Sequence, residues 1–499
     1  MHRLLLLMGL TSLLLCVACG SGSSNSGFGN STVGNFTNAN LSGQYAYQIN
    51  GYDINAGAFF REAGVFTADG KGNISAGEDD FAESGSIISD TSSGSYSISA
   101  NGTGILTINF TSGDGIEFAV TAVSSSKVYL GVSAVASGAP VNGSGFALLQ
   151  TASAVSTVPN GTFVFTQHNI SNSQGSSSAV GRVTVSGGAV SGSEDVNRAG
   201  AINSPTITGG AFNAPDASGR GEGTFVDSLG VTSGFFYYVV DASHLLFLAN
   251  PATSSGTAAV SIGLGQAVVQ SGTFNLSTFT GGYAFGSRGD DAFSVDGINT
   301  VGSFTAGGDG TISAGLLDFD QDGTPSTSPV SFTGSYTMGS DGRAVATINP
   351  AGGTSYQQVF WLASPSQAFF LTNDSTVEED GEAAAQQLSS LAASSLSGTY
   401  ALVMGGFNGG GAFDRVGALH WDGSGHLSLN EFANGAGFTQ TPGLLSGTYS
   451  VTDAGNGRVT GSVNSVSSNF VFYMISSTDG YILQNDSGAE ISGVMSKQQ

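Results

Sequence analysis

Three aspartates spaced two residues apart are the clearest candidate for chemistry in the chain. Asp318, Asp320 and Asp322 precede Gly323 in the pattern Asp-x-Asp-x-Asp-Gly. Carboxylate oxygens are the ligands that Ca²⁺ prefers, and this pattern begins a calcium-binding loop that lies between two helices. That loop needs a glutamate at its twelfth position. Pro329 stands there and no helical pattern flanks the motif, so we favour a solvated turn over a calcium site.

Other catalytic patterns are missing from the sequence. The histidines His168, His244, His420 and His426 lie singly, with no pair at metal-ligand spacing. No Gly-x-Ser-x-Gly nucleophile motif is present, and the glycine-rich segments join strand to strand, whereas a phosphate cradle needs a helix N-terminus. We therefore predict no enzyme activity and no cofactor. A pair of carboxylates acting on a polysaccharide stays open as a third possibility.

Both cysteines lie in the first 19 residues. A basic start, His2 and Arg3, precedes an apolar run over 4–15 that is too short to span a bilayer but fits the core of a signal peptide. The following segment, Cys16-Val17-Ala18-Cys19-Gly20, resembles the lipobox of bacterial lipoproteins. That resemblance implies cleavage after residue 18 and acylation of Cys19, with Gly20 favouring the outer membrane. An ordinary cleaved secretory signal is the alternative.

Residues 19–40 are rich in Gly, Ser, Asn and Thr. A chain of this composition is flexible and has a root-mean-square reach of roughly 25 Å over about 20 residues. We predict a tether between the lipid and a folded body. Acylation of Cys19 would leave no disulfide in the mature chain, so its stability must come from packing.

The composition indicates an acidic, all-β protein. The net charge is −24 and only 10% of residues are charged, a balance that disfavours nucleic-acid binding because phosphate backbones are repelled. Glycine accounts for 77 of 499 residues, yet 40% are hydrophobic. The glycines therefore mark turns between short apolar runs and do not mark disorder.

The body consists of four copies of one unit. Similar openings, such as "LSGQYAY" and "LSGTYAL", place glycines at 43, 161, 281 and 398, and each copy closes on a glutamine, at 150, 270, 387 and 499. We assign the repeats to 41–150, 158–270, 279–387 and 396–499. One internal position holds an acidic residue in every copy, which gives Asp318 a shared structural role. Its counterparts are Asp80, Asp195 and Glu431.

Each unit contains eight strand-like runs. In the first they lie near 43–50, 59–68, 72–81, 93–100, 103–110, 115–123, 126–134 and 143–150, with turn signals such as Asp69-Gly70 between them. Sequential antiparallel strands predict an up-and-down barrel, with a β-sandwich as the alternative. The sixth run, for example 235–240, is apolar without alternation, so both of its faces need cover. We expect the outer face to pack against a neighbouring unit.

The whole mature chain resembles tandem β-repeat lipoproteins of bacteria, in which the motifs "SGTYAF", "GSFTADGxGNI" and "DGRG" recur. The eight-strand unit is also loosely similar to avidin and lipocalin barrels. The family resemblance implies a fold and a cell-envelope location and no activity. Our leading hypothesis is a non-enzymatic, lipid-anchored envelope protein with a structural, adhesive or surface-interaction role. The alternative is a protein that binds a small ligand or carbohydrate inside its barrels.

Overall fold

The computed structural model describes residues 35–171, 175–291, 297–388, 390–409, 411–435, 438–464 and 467–499. Within these ranges the chain forms four closed, eight-stranded antiparallel barrels in sequence order. The prediction of four tandem up-and-down barrels is confirmed. The β-sandwich alternative is wrong, because the last strand of each unit pairs back onto the first and leaves no sheet edge.

Barrel 1 contains all eight strands expected from the sequence, and only the fourth begins much earlier, at Ser86. The strands are β1 (Ser42–Asp53), β2 (Ala58–Asp69), β3 (Asn73–Glu83), β4 (Ser86–Ile98), β5 (Thr103–Phe110), β6 (Gly115–Ser124), β7 (Lys127–Val135) and β8 (Val141–Leu149). Closure pairs β8 with β1, for example Leu149 with Tyr45.

Barrel 2 adds a short strand, β12, beside the eight that close. Its strands are β9 (Gly161–Ser171), β10 (Gly175–Ser186), β11 (Ala189–Arg198), β12 (Ala201–Asn203), β13 (Thr206–Phe212), β14 (Arg220–Asp227), β15 (Thr232–Asp241), β16 (His244–Ala249) and β17 (Ile262–Val269). Two 3₁₀ helices, Pro251–Thr253 and Gly256–Val260, connect β16 to β17.

Barrel 3 has the same plan, with β21 as its short extra strand. Its strands are β18 (Thr280–Asp291), β19 (Gly297–Gly307), β20 (Thr311–Gln321), β21 (Thr324–Pro325), β22 (Val330–Met338), β23 (Arg343–Pro350), β24 (Tyr356–Ser364), β25 (Gln367–Thr372) and β26 (Val377–Ala385).

Barrel 4 closes with eight strands. They are β27 (Ser397–Asn408), β28 (Gly411–Asp422), β29 (His426–Gly435), β30 (Phe438–Asp453), β31 (Arg458–Val463), β32 (Ser468–Met474), β33 (Asp479–Gln484) and β34 (Ala489–Lys497).

Each barrel is filled by its own side chains. In barrel 2 the ring centroids of Phe225 and Phe235 lie 4.7 Å apart, and the tilted ring of Phe247 lies 4.9 Å from Phe235. In barrel 4, Trp421 lies 4.4 Å from Tyr449. A remaining space of about 10 Å³ beside these barrel 4 side chains holds no more than one water molecule. The filled interiors do not support ligand binding inside the barrels.

Short 3₁₀ helices precede three of the barrels, at Asn38–Asn40, Leu276–Thr278 and Ala393–Ser395. Just before the first of them, Phe36 is buried in the core of barrel 1. Residues 35–40, which we assigned to the tether, therefore pack as part of barrel 1. The rest of the tether (19–34), the signal peptide (1–18) and Cys19 lie outside the described residues.

The four barrels pack into a closed ring. We number the strands 1 to 8 within each barrel, leaving out the short strands β12 and β21. Strands 6 and 7 of each barrel cover strands 1 and 2 of the barrel before it, and barrel 1 covers barrel 4 in the same way. Between barrels 1 and 2, for example, Tyr238 and Leu246 are buried against Ala46 and Val65. The corresponding clusters at the other three interfaces are also apolar. The expectation that the sixth strand is covered by a neighbouring unit is confirmed.

Three interfaces share a buried interface triad of aspartate, arginine and an aromatic residue. The aspartate comes from the third strand of one barrel, and the other two face each other on strands 5 and 6 of the next. The triads are Asp80–Arg220–Tyr238, Asp195–Arg343–Trp361 and Asp318–Arg458–Tyr473. Each arginine donates two hydrogen bonds of 2.6–2.8 Å to its aspartate, the bidentate geometry that guanidinium favours.

The interface between barrels 4 and 1 has no such triad. The positions of the arginine and the aromatic residue are held by Thr103 and Thr121, which pair across β5 and β6. Phe432 occupies the position equivalent to the aspartate. It pairs with Val416 in barrel 4, and the equivalent pair in barrel 1 is Asp80 with Ala63. Our alignment of Glu431 with Asp318 is therefore wrong by one residue. That shift turns Glu431 to the opposite face of its strand, where it lies 3.4 Å from Arg415.

A glutamine after the last strand of each barrel holds the next barrel. Gln386 donates from Nε2 to the backbone carbonyls of Asn456 and Met474, both at 2.9 Å. Gln150, Gln270 and Gln498 make the same pair of bonds, and Gln498 closes the ring onto barrel 1. The sequence match used Gln387 and Gln499, each one residue beyond the side chain that makes the contact.

Replacement of Gln386 by alanine is expected to lower the free energy of unfolding of barrels 3 and 4 by about 1–2 kcal/mol, because two partly buried carbonyls lose their donor. Thermal unfolding of the full chain measures the change. The matched control is Gln387→Ala, which removes an exposed side chain and keeps the backbone bond to Ile475. Equal effects of the two changes would contradict the assignment.

Candidate site at the centre of the ring

A cavity of about 110 Å³ lies where the four barrels meet. Every barrel contributes to its wall, mainly through the hairpins between strands 1 and 2. We call it the central cavity. Its lining includes Asn50, Tyr52, Phe59, Arg61, Asn142, Ser144, His168, Arg288, Asn299, Phe407, Phe413, Asp414 and Glu490.

Equivalent positions of the four barrels carry polar residues here. Arg61, Ser178, Asn299 and Asp414 occupy the same place on strand 2 and are all buried. Their partners on strand 3 are, in the same order, Ala82, Asn197, Asp320 and Asn434. Both sets point outward from their barrels, so closing the ring brings them towards its centre.

Asp414 is the most deeply buried acid of the central cavity, with 1% of its surface exposed. Its Oδ1 accepts hydrogen bonds from Asn142 Nδ2 at 3.1 Å and from the Gly143 amide at 3.2 Å. Its Oδ2 has no hydrogen-bond partner among the described residues. Burial raises the pKa of Asp414 well above its ordinary value, against the lowering effect of these two donors.

Three aromatic rings form one wall. Tyr52 and Phe59 of barrel 1 and Phe407 of barrel 4 contact one another edge to face, with centroid separations of 5.1, 5.6 and 5.9 Å. All three are half-buried. The guanidinium of Arg61 lies 5.5 Å from the Phe59 centroid, a distance at which a cation is attracted to a ring face.

An ion pair joins barrels 2 and 3 at the same place. His168 Nδ1 lies 2.9 Å from Asp380 Oδ1, and Ser178 Oγ donates to the same carboxylate at 2.7 Å. Burial alone would raise the pKa of Asp380, but the hydrogen bond and the positive charge of His168 outweigh it and lower that pKa. The pair fixes the side of the cavity that His168 lines.

The sequence-predicted calcium ligands have separate environments. Both oxygens of Asp318 are held by Arg458, and Tyr473 donates to Oδ2 at 2.7 Å. Asp320 is fully buried, whereas Asp322 lies in an exposed turn with φ of 53°. Among the described residues, no group of three or more His, Cys, Asp or Glu side chains is placed to hold a metal ion. The solvated turn that we favoured fits Asp322 alone, because Asp318 and Asp320 are buried in β20. The calcium alternative is not tested and stays a hypothesis.

Sequence reasoning missed the central cavity. Its residues come from separate repeats, and the side chains differ between copies: Arg61, Asn299 and Asp414 are structural equivalents with unrelated chemistry. The one available signal was a polar residue at the same point of the second strand in every copy.

Comparisons with known proteins give weak likenesses. No protein-family model matches the chain, and no curated protein matches it in sequence. Solved structures that resemble it include a double mutant of the vaccine antigen transferrin binding protein B from Haemophilus parasuis, with 8% identity and a TM-score of 0.20 over 69% of this chain and 76% of that chain. Intact Ap-TbpB, with N and C lobes, has 8% identity and a TM-score of 0.18 over 70% and 77%.

A protein of unknown function of the DUF3598 family from Nostoc punctiforme has 10% identity and a TM-score of 0.16, covering 47% of this chain and 98% of that chain. At these scores the likenesses do not bear on function. Within the described parts of the chain, no helix has the length and apolar character needed to cross a membrane.

Proposed function

We propose that the protein is a non-enzymatic, lipid-anchored protein of the bacterial cell envelope, and that its four-barrel ring is a rigid scaffold for surface interactions. The observation that carries this proposal is the way the ring is built. The barrel interiors are filled and the apolar outer faces of strands 6 and 7 are buried between barrels. The outer surface and the central cavity are left to meet a partner.

The buried charges also support a structural role. Three of the buried aspartates, Asp80, Asp195 and Asp318, are each held by an arginine of the next barrel. Such pairs fix the orientation of one barrel on another, since a bidentate arginine accepts a narrow range of geometries. A net charge of −24 keeps a protein of this kind soluble outside the cell.

Acylation of Cys19 and anchoring in the outer membrane complete the proposal. Growth with a fatty-acid analogue such as alkyne-palmitate should label the wild-type chain, and Cys19→Ala should abolish the label. The matched control is Cys16→Ala, which should keep it, because Leu15 before Cys16 is a poor lipobox residue whereas Ala18 precedes Cys19. An unlabelled wild type, or label surviving Cys19→Ala, would remove the anchor.

A further inference from the structure

The central cavity combines neutral hydrogen-bonding groups from two barrels. Asn50, Asn142 and Ser144 come from barrel 1 and Asn299 from barrel 3. Amides and hydroxyls both donate and accept hydrogen bonds. A wall of this kind suits a ligand whose own groups do the same, and a hydroxyl is the simplest such group.

The aromatic wall supplies the apolar contact that such a ligand needs. Tyr52 and Phe407 are half-buried and line the cavity, so part of each ring faces the space between the barrels. Ligand pockets are typically apolar surfaces with a few placed polar groups. A sugar ring presents C–H groups to an aromatic side chain and hydroxyls around its edge, which matches a wall with both kinds of group.

Asp414 is sealed into the wall of the central cavity. It is 1% exposed and its Oδ2 atom has almost no accessible surface, so a ligand in the cavity does not reach that oxygen. Its Oδ1 accepts hydrogen bonds from Asn142 Nδ2 and from the Gly143 amide. Asp414 therefore positions this part of the wall.

The charges at the cavity have both signs. Arg61 and Arg288 line it together with Glu490, whereas burial favours the uncharged form of Asp414. Since the electrostatic potentials of opposite charges partly cancel, the central cavity does not strongly favour an anionic or a cationic ligand. Asn and Ser side chains and a mixture of charges are compatible with a neutral, hydroxyl-rich ligand.

We infer that the central cavity binds a neutral saccharide unit, held by the amide of Asn50, by the hydroxyl of Ser144 and by the aromatic wall. The volume of about 110 Å³ is somewhat below that of a cavity of about 150 Å³ that admits benzene. Because a sugar ring with its hydroxyls is larger than benzene, only part of one ring enters the cavity and the rest stays outside it. This inference rests on the proposed interaction role and names the class of partner.

Saturation-transfer NMR on the full chain in detergent tests the inference, with D-glucose, D-galactose and N-acetyl-D-glucosamine as neutral probes. At least one of them is expected to bind, and Asn50→Ala is expected to weaken its binding about tenfold, the effect of one lost hydrogen bond of about 1.4 kcal/mol. Ser144→Ala provides a second, smaller change at the same wall. Asn373→Ala, a half-buried asparagine of barrel 3 outside the cavity lining, is the matched control and should leave binding unchanged.

Three results would overturn the inference: no neutral sugar binds, D-glucuronate or D-glucosamine binds more tightly than every neutral probe, or binding is unaffected by both Asn50→Ala and Ser144→Ala. Thermal unfolding of each variant establishes that it is folded. The labelling of Cys19 does not depend on the cavity, so failure of sugar binding and failure of the anchor are observed separately.

Discussion

Replacement of Arg458 by methionine is expected to lower the free energy of unfolding of barrels 3 and 4 by about 3–5 kcal/mol, because breaking a buried ion pair leaves an uncompensated charge. Asp318 has 1% of its side chain exposed and would keep only the hydrogen bond from Tyr473. Hydrogen exchange at increasing urea concentrations, read by mass spectrometry for peptides of β20 and β31, resolves these barrels from the others.

The double change Arg458→Met with Asp318→Leu should recover much of this loss, since it removes both charges and leaves apolar side chains of similar volume. The matched control is Thr103→Met, which puts the same residue at the equivalent position of barrel 1, where the triad is missing. We expect it to change stability by much less than Arg458→Met. A control as destabilising as the arginine replacement would contradict the role of the triad.

Asp320 is expected to make the interface between barrels 3 and 4 less stable as the pH rises. Burial, with a further contribution from Glu490, raises the pKa of Asp320 from 3.8 to about 7. Between about pH 4 and pH 7 the folded chain holds this proton and the unfolded chain has lost it. Stability therefore falls through this window, by up to about 4 kcal/mol once the carboxyl is fully ionised.

The structural equivalents of Asp320 explain this behaviour. Asn197 donates from its amide to the backbone carbonyls of Thr372 and Val377 in the next barrel, and Asn434 donates to two carbonyls of barrel 1. An ionised aspartate cannot donate, and neither side-chain oxygen of Asp320 has a well-formed hydrogen bond among the described residues. The charged groups that act on it are Glu490 and Asp322.

The test is a reciprocal exchange. Asp320→Asn should raise the free energy of unfolding at pH 8 and reduce its decrease between pH 4 and pH 7. Asn197→Asp should lower the free energy of unfolding at pH 8 and introduce a similar pH-dependent decrease at the interface between barrels 2 and 3. Urea unfolding across this pH range measures both. Burial also raises the pKa of Glu194, to about 8, so the difference between variant and wild type is the informative quantity. A pH profile unchanged by Asp320→Asn would contradict the assignment.

The repeat and its strands could be predicted from the sequence because they depend on local patterns. Turn pairs such as Asp69-Gly70, the spacing of the four opening glycines and the apolar runs of the sixth strands are all visible along the chain. The burial of the outer face of strand 6 could also be predicted, since that face carries the large side chains of Phe236 and Tyr238, which are buried in the structure.

The partners of individual side chains could not be predicted. The shared role of Asp318 was expected, but its partner Arg458 lies 140 residues further along the chain. The alignment of Glu431 and of two of the four closing glutamines, Gln387 and Gln499, was wrong by one residue each, whereas Gln150 and Gln270 were matched correctly. A loosely matched repeat does not fix the residue that faces outward, and only the hydrogen-bond register does.

The sequence by itself determined a fourfold β-repeat, its strands, its acidic surface and the need of each sixth strand for cover on both faces. These properties follow from the order of apolar, polar and turn residues within one copy. The tertiary structure alone decided that the copies close into a ring, that one interface lacks the triad and that Arg61, Asn299 and Asp414 meet at a cavity. Those outcomes depend on contacts between residues more than a hundred positions apart, which no local pattern encodes.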